Sequence, residues 1–220
     1  MVVADRRPSM ALYPAPWLSK PATLRALWRL VSSAALAELG LVGYLGADTW
    51  FSPSSGPGLD QVGGHLADAP FDAPEDSLDE AFAQLLRMRR SLPAGTFVFV
   101  CSDFLAAPEP VWWARALAHR WDVVPVIVRD PVWEQSFPPV DGLVVPFADP
   151  QTGRTRAIRL RRGEAESRRR EHEARLARLV GDFRALGLEP IVVGSDDEPG
   201  VLQALTVWGE TRLAVRRGEW

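Results

Sequence analysis

The sequence predicts an α/β fold, a doubly wound, mostly parallel sheet flanked by helices, and three observations predict it. Short continuous apolar runs such as TFVFVCSD (96–103) and DVVPVIVRD (122–130) have the character of strands buried on both faces. Between such runs lie segments with apolar residues at helical spacing, so helix and strand alternate along the chain. With 220 residues, 47% hydrophobic and 24% charged, the chain can bury a full core as one domain spanning residues 1–220.

The first element is VVADRRPSM (2–10), a short strand at about residues 2–5 that runs into a Pro-rich loop. A helix follows over PATLRALWRLVSSAALAELG, with Pro21 in its first turn and Gly40 as its stop. LVGYLG (41–46) reads as a buried strand. Residues 47–74, rich in Pro, Gly, Ser and Asp, read as the longest irregular segment, interrupted by a short edge strand around Thr49 to Phe51. DSLDEAFAQLLRMRRSL (76–92) places Leu78, Phe82, Leu85 and Leu86 at helical spacing, and Pro93 and Gly95 end it before the 96–103 strand. A helix near 109–120 leads to the 122–130 strand, and GLVVPFAD (142–149) is a further strand. The turn DPQTG then opens into RTRAIRL, followed by a long helix over about 163–187, strand LEPIVVGS (188–195) and a last helix over about 199–215. No period of 20 to 50 residues recurs, which argues against a repeat array.

Composition excludes several function classes. The net charge is −3 and the 25 basic residues are spread out, so there is no electrostatic footprint for nucleic acid. The run RRGEAESRRREHEARLAR (161–178) alternates in sign, with Glu164 and Arg168, Glu166 and Arg170, and Glu171 and Arg175 four apart, as on a solvated helix. The single cysteine, Cys101, lies in an apolar run and reads as a packed thiol in a reducing compartment. The most apolar window, LWRLVSSAALAELGLVGYLG, carries Arg29 and Glu38 and is broken by Gly40, so no transmembrane span is expected. The four residues before Asp5 are too few for a signal peptide, and the chain is expected to be cytoplasmic. His65, His119 and His172 lack paired spacing for zinc. The glycines of GLVGYLG fall between helix and strand, not between strand and helix as a phosphate loop requires. No G-x-S-x-G occurs, and Ser102 and Asp103 have no evident histidine partner.

In open parallel sheets, ligands bind beyond the carboxyl ends of the strands, where the strand order reverses. Those ends carry Asp5 with Ser9, Ser102 with Asp103, Asp130, Asp149, and Ser195 to Asp197. Asp149 and Ser195 to Asp197 are expected to cap helices or close turns. Trp28 and Trp208 fall on helices and read as core, whereas Trp17, Trp50 and Trp133 fall in loops. Trp17 and Trp133 follow strand ends at the site edge, where they either bind a partner at the rim or roof the sheet.

VVADRRPSM, LVGYLG, FVFVCSDF, DVVPVIVRDPVWEQSFP and GLVVPFADPQTGR together resemble a von Willebrand factor A-like domain. More narrowly they resemble the bacterial family known as domain of unknown function 58, whose members show an apolar strand ending SDF, a D-P after the next strand and a D-P-x-T-G turn. The resemblance covers nearly the whole chain. It implies a metal-ion-dependent adhesion site, D-x-S-x-S with a Thr from another loop and a later Asp. Asp5 then stands for the first Asp, Ser9 for the last Ser, Ser77 (or neighbouring Asp76) for the Thr, and Asp103 for the late Asp. Arg7 stands where the middle serine belongs. Mg²⁺ takes six oxygens in near-octahedral geometry, and a guanidinium offers no lone pair and repels the ion. The departure predicts a degenerate site with weak or absent Mg²⁺ binding, in which Arg7 either bridges Asp5 and Asp103 or points to solvent.

The resulting expectation is a non-enzymatic binding or scaffold domain that engages a protein partner. Arg7, Trp17 and Trp133 are the partner-facing residues, with Arg7 meeting a partner carboxylate directly. The resemblance implies a MoxR-type AAA+ ATPase as that partner. Two rivals stand beside it. One is a metal-assisted hydrolase of phosphate esters, which Asp5, Asp103 and Asp130 would serve without a lysine or histidine placed to assist. The other is a ligand-free structural domain. Relatives of the resembled family usually carry an upstream membrane segment and a β-rich region, so full-length relatives are expected to be membrane-anchored and this chain to be a fragment or a mis-started reading.

Overall fold

The computed structural model describes residues 1–12, 18–56, 58–148 and 154–217. It is a mixed α/β molecule built on a six-stranded, mostly parallel sheet. The strands are β1 (Val2–Ala4), β2 (Val42–Leu45), β3 (Trp50–Ser54), β4 (Phe97–Ser102), β5 (Asp122–Val128) and, after a two-stranded ribbon, β8 (Ile191–Val193). The ribbon comprises β6 (Leu143–Ala148) and β7 (Thr155–Leu160). The sheet order is β3-β2-β1-β4-β5-β8, with β3 antiparallel to β2 and every other pair parallel. The chain leaves β1 toward β2 and later returns to β4 on the other side, so the strand order reverses between β1 and β4.

Six helices cover the two faces: α1 (Lys20–Ala37), α2 (Gly58–Asp68), α3 (Ser77–Arg87), α4 (Pro110–Ala118), α5 (Arg162–Ala185) and α6 (Glu198–Arg217). Because successive strand residues point to opposite faces, β5 sends Val124, Val126 and Val128 to one core and Val123 and Ile127 to the other. The first core takes α1, α2 and α6 through Leu24, Leu27, Val62, Leu66 and Val201. The second takes α3, α4 and α5 through Phe82, Leu85, Trp113 and Phe183. Both faces are thereby dry, which is why the strands read as unbroken apolar runs.

Two readings of the sequence change. Residues 58–68, expected to be irregular, form α2, which buries Val62 and Leu66. GLVVPFAD is no strand of the main sheet. It pairs with TRAIRL in the antiparallel ribbon, from Leu143 opposite Leu160 to Ala148 opposite Thr155. The ribbon is inserted in the crossover from β5 to β8, and its base has a small core of Phe137, Leu160 and Ala165, with Trp133, Val140 and Ile158 packed on it. Trp133 is half-buried there rather than standing free at the rim. Trp28 is in the first core, and Trp208 packs beside it against Phe97 and Phe99. Trp17 and Asp149 lie outside the described residues. Among the described residues, no helix is long and apolar enough to cross a membrane.

Candidate functional site

The crevice at the reversal between β1 and β4 is where a doubly wound sheet places a ligand. Here the carboxyl ends of those strands bring together Asp5, Arg7, Ser102 and Asp103, all buried. Asp5 follows β1, and its Oδ1 accepts from the Arg7 backbone N–H (2.9 Å) and from Arg7 Nε (2.9 Å). Its Oδ2 accepts from Arg7 Nη2 (2.6 Å) and from the Ser102 hydroxyl (2.6 Å). Arg7 therefore turns inward, only 5% exposed, and its Nη1 donates to the carbonyls of Ala106 (2.8 Å) and Glu75 (3.3 Å). Burial acts to lower the Arg7 pKa, but the hydrogen bond to Asp5 and the charges of Asp5, Asp103 and Glu75 outweigh it and raise it. The guanidinium forms its ion pair with Asp5, also reaches the Ser102 hydroxyl (3.2 Å), and makes no hydrogen bond to Asp103.

The cation on Asp103 is Lys20. Its Nζ donates to Asp103 Oδ2 (3.0 Å), to Glu134 Oε1 (2.6 Å) and to the Ser9 carbonyl (3.1 Å), and both Lys20 and Asp103 are 0% exposed. Asp103 Oδ1 accepts from the Leu105 N–H (3.1 Å), and the Ser9 hydroxyl adds a hydrogen bond to the carboxylate. Burial pushes the Asp103 carboxyl up, and Lys20 with these donors overcomes it, so its pKa lies below the usual aspartate value. The expectation that no lysine stands at this edge is corrected. Lys20 occupies the first turn of α1, after the N-cap Ser19, where a cation opposes the helix dipole. That unfavourable position was the available signal, since such a lysine needs an anion nearby.

The loop after β5 completes the cluster. Asp130 accepts from the N–H groups of Val132 and Trp133 on Oδ1 (2.8 Å each) and of Leu18 on Oδ2 (2.8 Å), tying the start of α1 to this loop. Glu134 Oε2 accepts from the Asp130 N–H (2.8 Å) while its Oε1 holds Lys20. Arg129, also buried, donates from Nε to the Asp103 carbonyl (2.7 Å). Phe104 makes the turn possible at φ 50°, a left-handed conformation held by its N–H on Ser102 Oγ (2.8 Å) and by its ring against Phe183 (5.1 Å). Asp103 is thus aimed at Lys20 by a strained, over-determined residue.

Ser77 is buried beside this cluster at the start of α3, and its Oγ has no hydrogen-bond partner among the described residues. A cavity of about 340 Å³, lined by Glu75, Asp76, Leu78, Asp79, Ala106 and Pro108, opens next to the carbonyls that Arg7 holds. Asp196 and Asp197 have structural partners: Asp196 accepts from the Ser19 N–H (2.9 Å), Ser195 donates to Asp197 (2.9 Å), and Asp197 accepts from the Gly200 N–H (2.7 Å) at the start of α6. Cys101 is packed in the sheet, and burial pushes its thiol up to about 12.

These residues do not fit a divalent cation as they stand. Both Asp5 oxygens are committed to Arg7 and Ser102, and Asp103 is committed to Lys20 and the Leu105 N–H. Two single positive charges on side chains, Arg7 and Lys20, already lie against the two carboxylates. Among the described residues, no group of three or more His, Cys, Asp or Glu could hold a metal.

Residues 34–178 match the family model described as protein of unknown function DUF58. Among solved structures, the chain is similar to the conserved hypothetical protein BatB from Bacteroides thetaiotaomicron, with TM-score 0.51 and 16% identity over 95% of this chain and 97% of that one. It is similar also to an aerotolerance-related membrane protein from Bacteroides fragilis, with TM-score 0.52 and 15% identity over 96% and 98% of the two chains. At such identities the likeness shows a shared fold alone. No curated protein matches the chain.

Proposed function

This chain belongs to the DUF58 family of proteins of unknown function, and from that premise we propose that it is a non-enzymatic docking domain of von Willebrand factor A-like architecture, whose carboxyl edge engages a protein partner without a bound metal. One observation carries the reading: the Asp5–Arg7 and Asp103–Lys20–Glu134 ion pairs fill the crevice where a metal or catalytic centre would stand. Lys20 and Asp103 are shut away from solvent, so neither reaches a substrate as proton donor, base or electrophile. The burial of Arg7 likewise removes it as a direct contact for a partner carboxylate. Recognition then falls to what is accessible around the crevice: the acid-lined cavity beside α3 and the ribbon beyond β5.

The sequence resemblance makes a MoxR-type AAA+ ATPase the partner of choice, and the lone buried thiol fits a cytoplasmic setting. Three measurements test the reading. Calorimetric titration with Mg²⁺ and with Mn²⁺ is expected to give only heats of dilution, and saturable binding of either ion overturns the metal-free site. Interferometry with a purified MoxR-type ATPase is expected to show binding, and its absence removes that partner. Hydrolysis of p-nitrophenyl phosphate that disappears in Asp103→Ala would make the domain an enzyme.

A further inference from the structure

Outside the crevice, the ribbon stands apart from the main sheet. Its two strands pair with each other, and among the described residues with no third strand. Among the described residues, the outer edge of β7 therefore presents N–H and C=O groups with no strand partner. The segment RTRAIRLRR (154–162) holds five arginines and no acid. Arg156, Arg159 and Arg161 are exposed and make no ion pair among the described residues, whereas the arginines of α5 are partly neutralised by Glu164–Arg168, Glu166–Arg169 and Glu171–Arg175. Ten of the chain's 25 basic residues but four of its 28 acidic ones lie within 154–178. The rest of the molecule is acidic, with 15 basic residues against 24 acidic. The basic residues are thus concentrated rather than spread out.

We propose that the free edge of β7 is a docking strand for an acidic, extended segment of a partner protein, which adds to the ribbon as a third strand. Main-chain hydrogen bonds supply the pairing, as in other strand-addition interfaces. Arg156 and Arg159, three residues apart, point to opposite faces of the ribbon, so acids on both faces of an added strand find a partner. The choice of a protein segment over nucleic acid or an anionic membrane follows from the charge distribution. A long polyanion lying on the ribbon also meets the acidic body, which repels it, while a short segment meets only the arginines.

The ribbon also stands at the proposed docking edge. Its base packs through Leu160 and Ile158 on Phe137 and Trp133, and the loop carrying those two residues holds Lys20 through Glu134. The inference rests on the reading of that edge as a docking face and names the partner's chemistry.

The test is fluorescence anisotropy with the full chain and a labelled ten-residue peptide of alternating Glu and Val, beside an alternating Lys and Val peptide, a single-stranded thymidine oligonucleotide and phosphatidylserine vesicles. The acidic peptide is expected to bind, more weakly as salt rises. Charge reversal in Arg156→Glu/Arg159→Glu is expected to weaken it by about tenfold or more without moving the thermal midpoint. No binding of the acidic peptide, equal binding to the reversed variant, or tighter binding of the oligonucleotide or vesicles overturns the proposal. An ATPase that binds wild type and the reversed variant equally refutes this strand-addition site and leaves the docking reading standing. An ATPase that binds neither refutes the docking partner while the peptide result still judges the ribbon.

Discussion

Asp5, Arg7, Lys20 and Asp103 form two ion pairs in a dry crevice, and removing one member of such a pair leaves the other charge buried alone. Arg7→Met is therefore expected to cost about 3–5 kcal/mol, measured by urea unfolding. Asp5→Asn/Arg7→Met is expected to cost clearly less than the two single changes added together, because it strands no charge. Additive costs would mean that the pair is not coupled. Asp103 gives a second expectation, in pH. Its carboxyl is depressed in the fold, so it adds stability at pH values above the unfolded pKa of about 4 and loses that contribution as pH falls through the lower folded value. The unfolding free energy is expected to fall on acidification below about pH 4, and to fall less in Lys20→Met, where the Leu105 N–H and the Ser9 hydroxyl remain but the charge that depresses the carboxyl most is gone. Equal acid dependence in the two proteins would show that Lys20 does not set it. Of this cluster, Asp5, Arg7, Ser9 and Asp103 are legible from the strand ends, because the reversal point of a doubly wound sheet fixes where to look. Lys20 and Glu134 are not, since they reach the crevice from an α1 first turn and a loop whose positions depend on tertiary packing.

At the level of elements, what misleads is a local signal opposed by packing. In GLDQVGGHLAD, Gly58, Gly63 and Gly64 read as loop, yet Leu59, Val62 and Leu66 recur at helical spacing and bury against α1. The packing outweighs the backbone entropy that the glycines cost. That cost is recoverable: a Cβ on Gly64 meets nothing within 4 Å, and the residue is exposed. Gly64→Ala is expected to raise unfolding stability by about 0.5–1 kcal/mol. A loss of stability would indicate that α2 does not persist in solution. GLVVPFAD shows the converse. Its apolar run has the look of a parallel strand, but a turn sequence, DPQTG, and a second run follow at once, which is the signature of a hairpin. Antiparallel neighbours need only a short turn, whereas a further parallel strand needs a helix-length crossover.

On the scale of the whole molecule, two units of unequal burial share one chain. The six-stranded sheet is buried on both faces by three helices each, with β1, β4 and β5 at its centre. The ribbon rests on a core of three fully buried residues, with Ile158 half-buried against it, while Leu143, Val144 and Pro146 of β6 and Thr155, Arg156, Ala157 and Arg159 of β7 are exposed. An isolated two-stranded ribbon is marginal in water, and stability to local opening follows buried apolar contact. Native-state hydrogen exchange is therefore expected to rank the amides. Those of β4 and β5 should open only with global unfolding, and those bonded between residues 143–148 and 155–160 should exchange through a local opening that urea barely accelerates. A third strand added at the β7 edge would slow the ribbon amides selectively, because it supplies partners on the open side and leaves the sheet unchanged. If instead the ribbon amides already exchange with the β4 and β5 set, the ribbon is not an independent unit and has no spare stability for a partner to add.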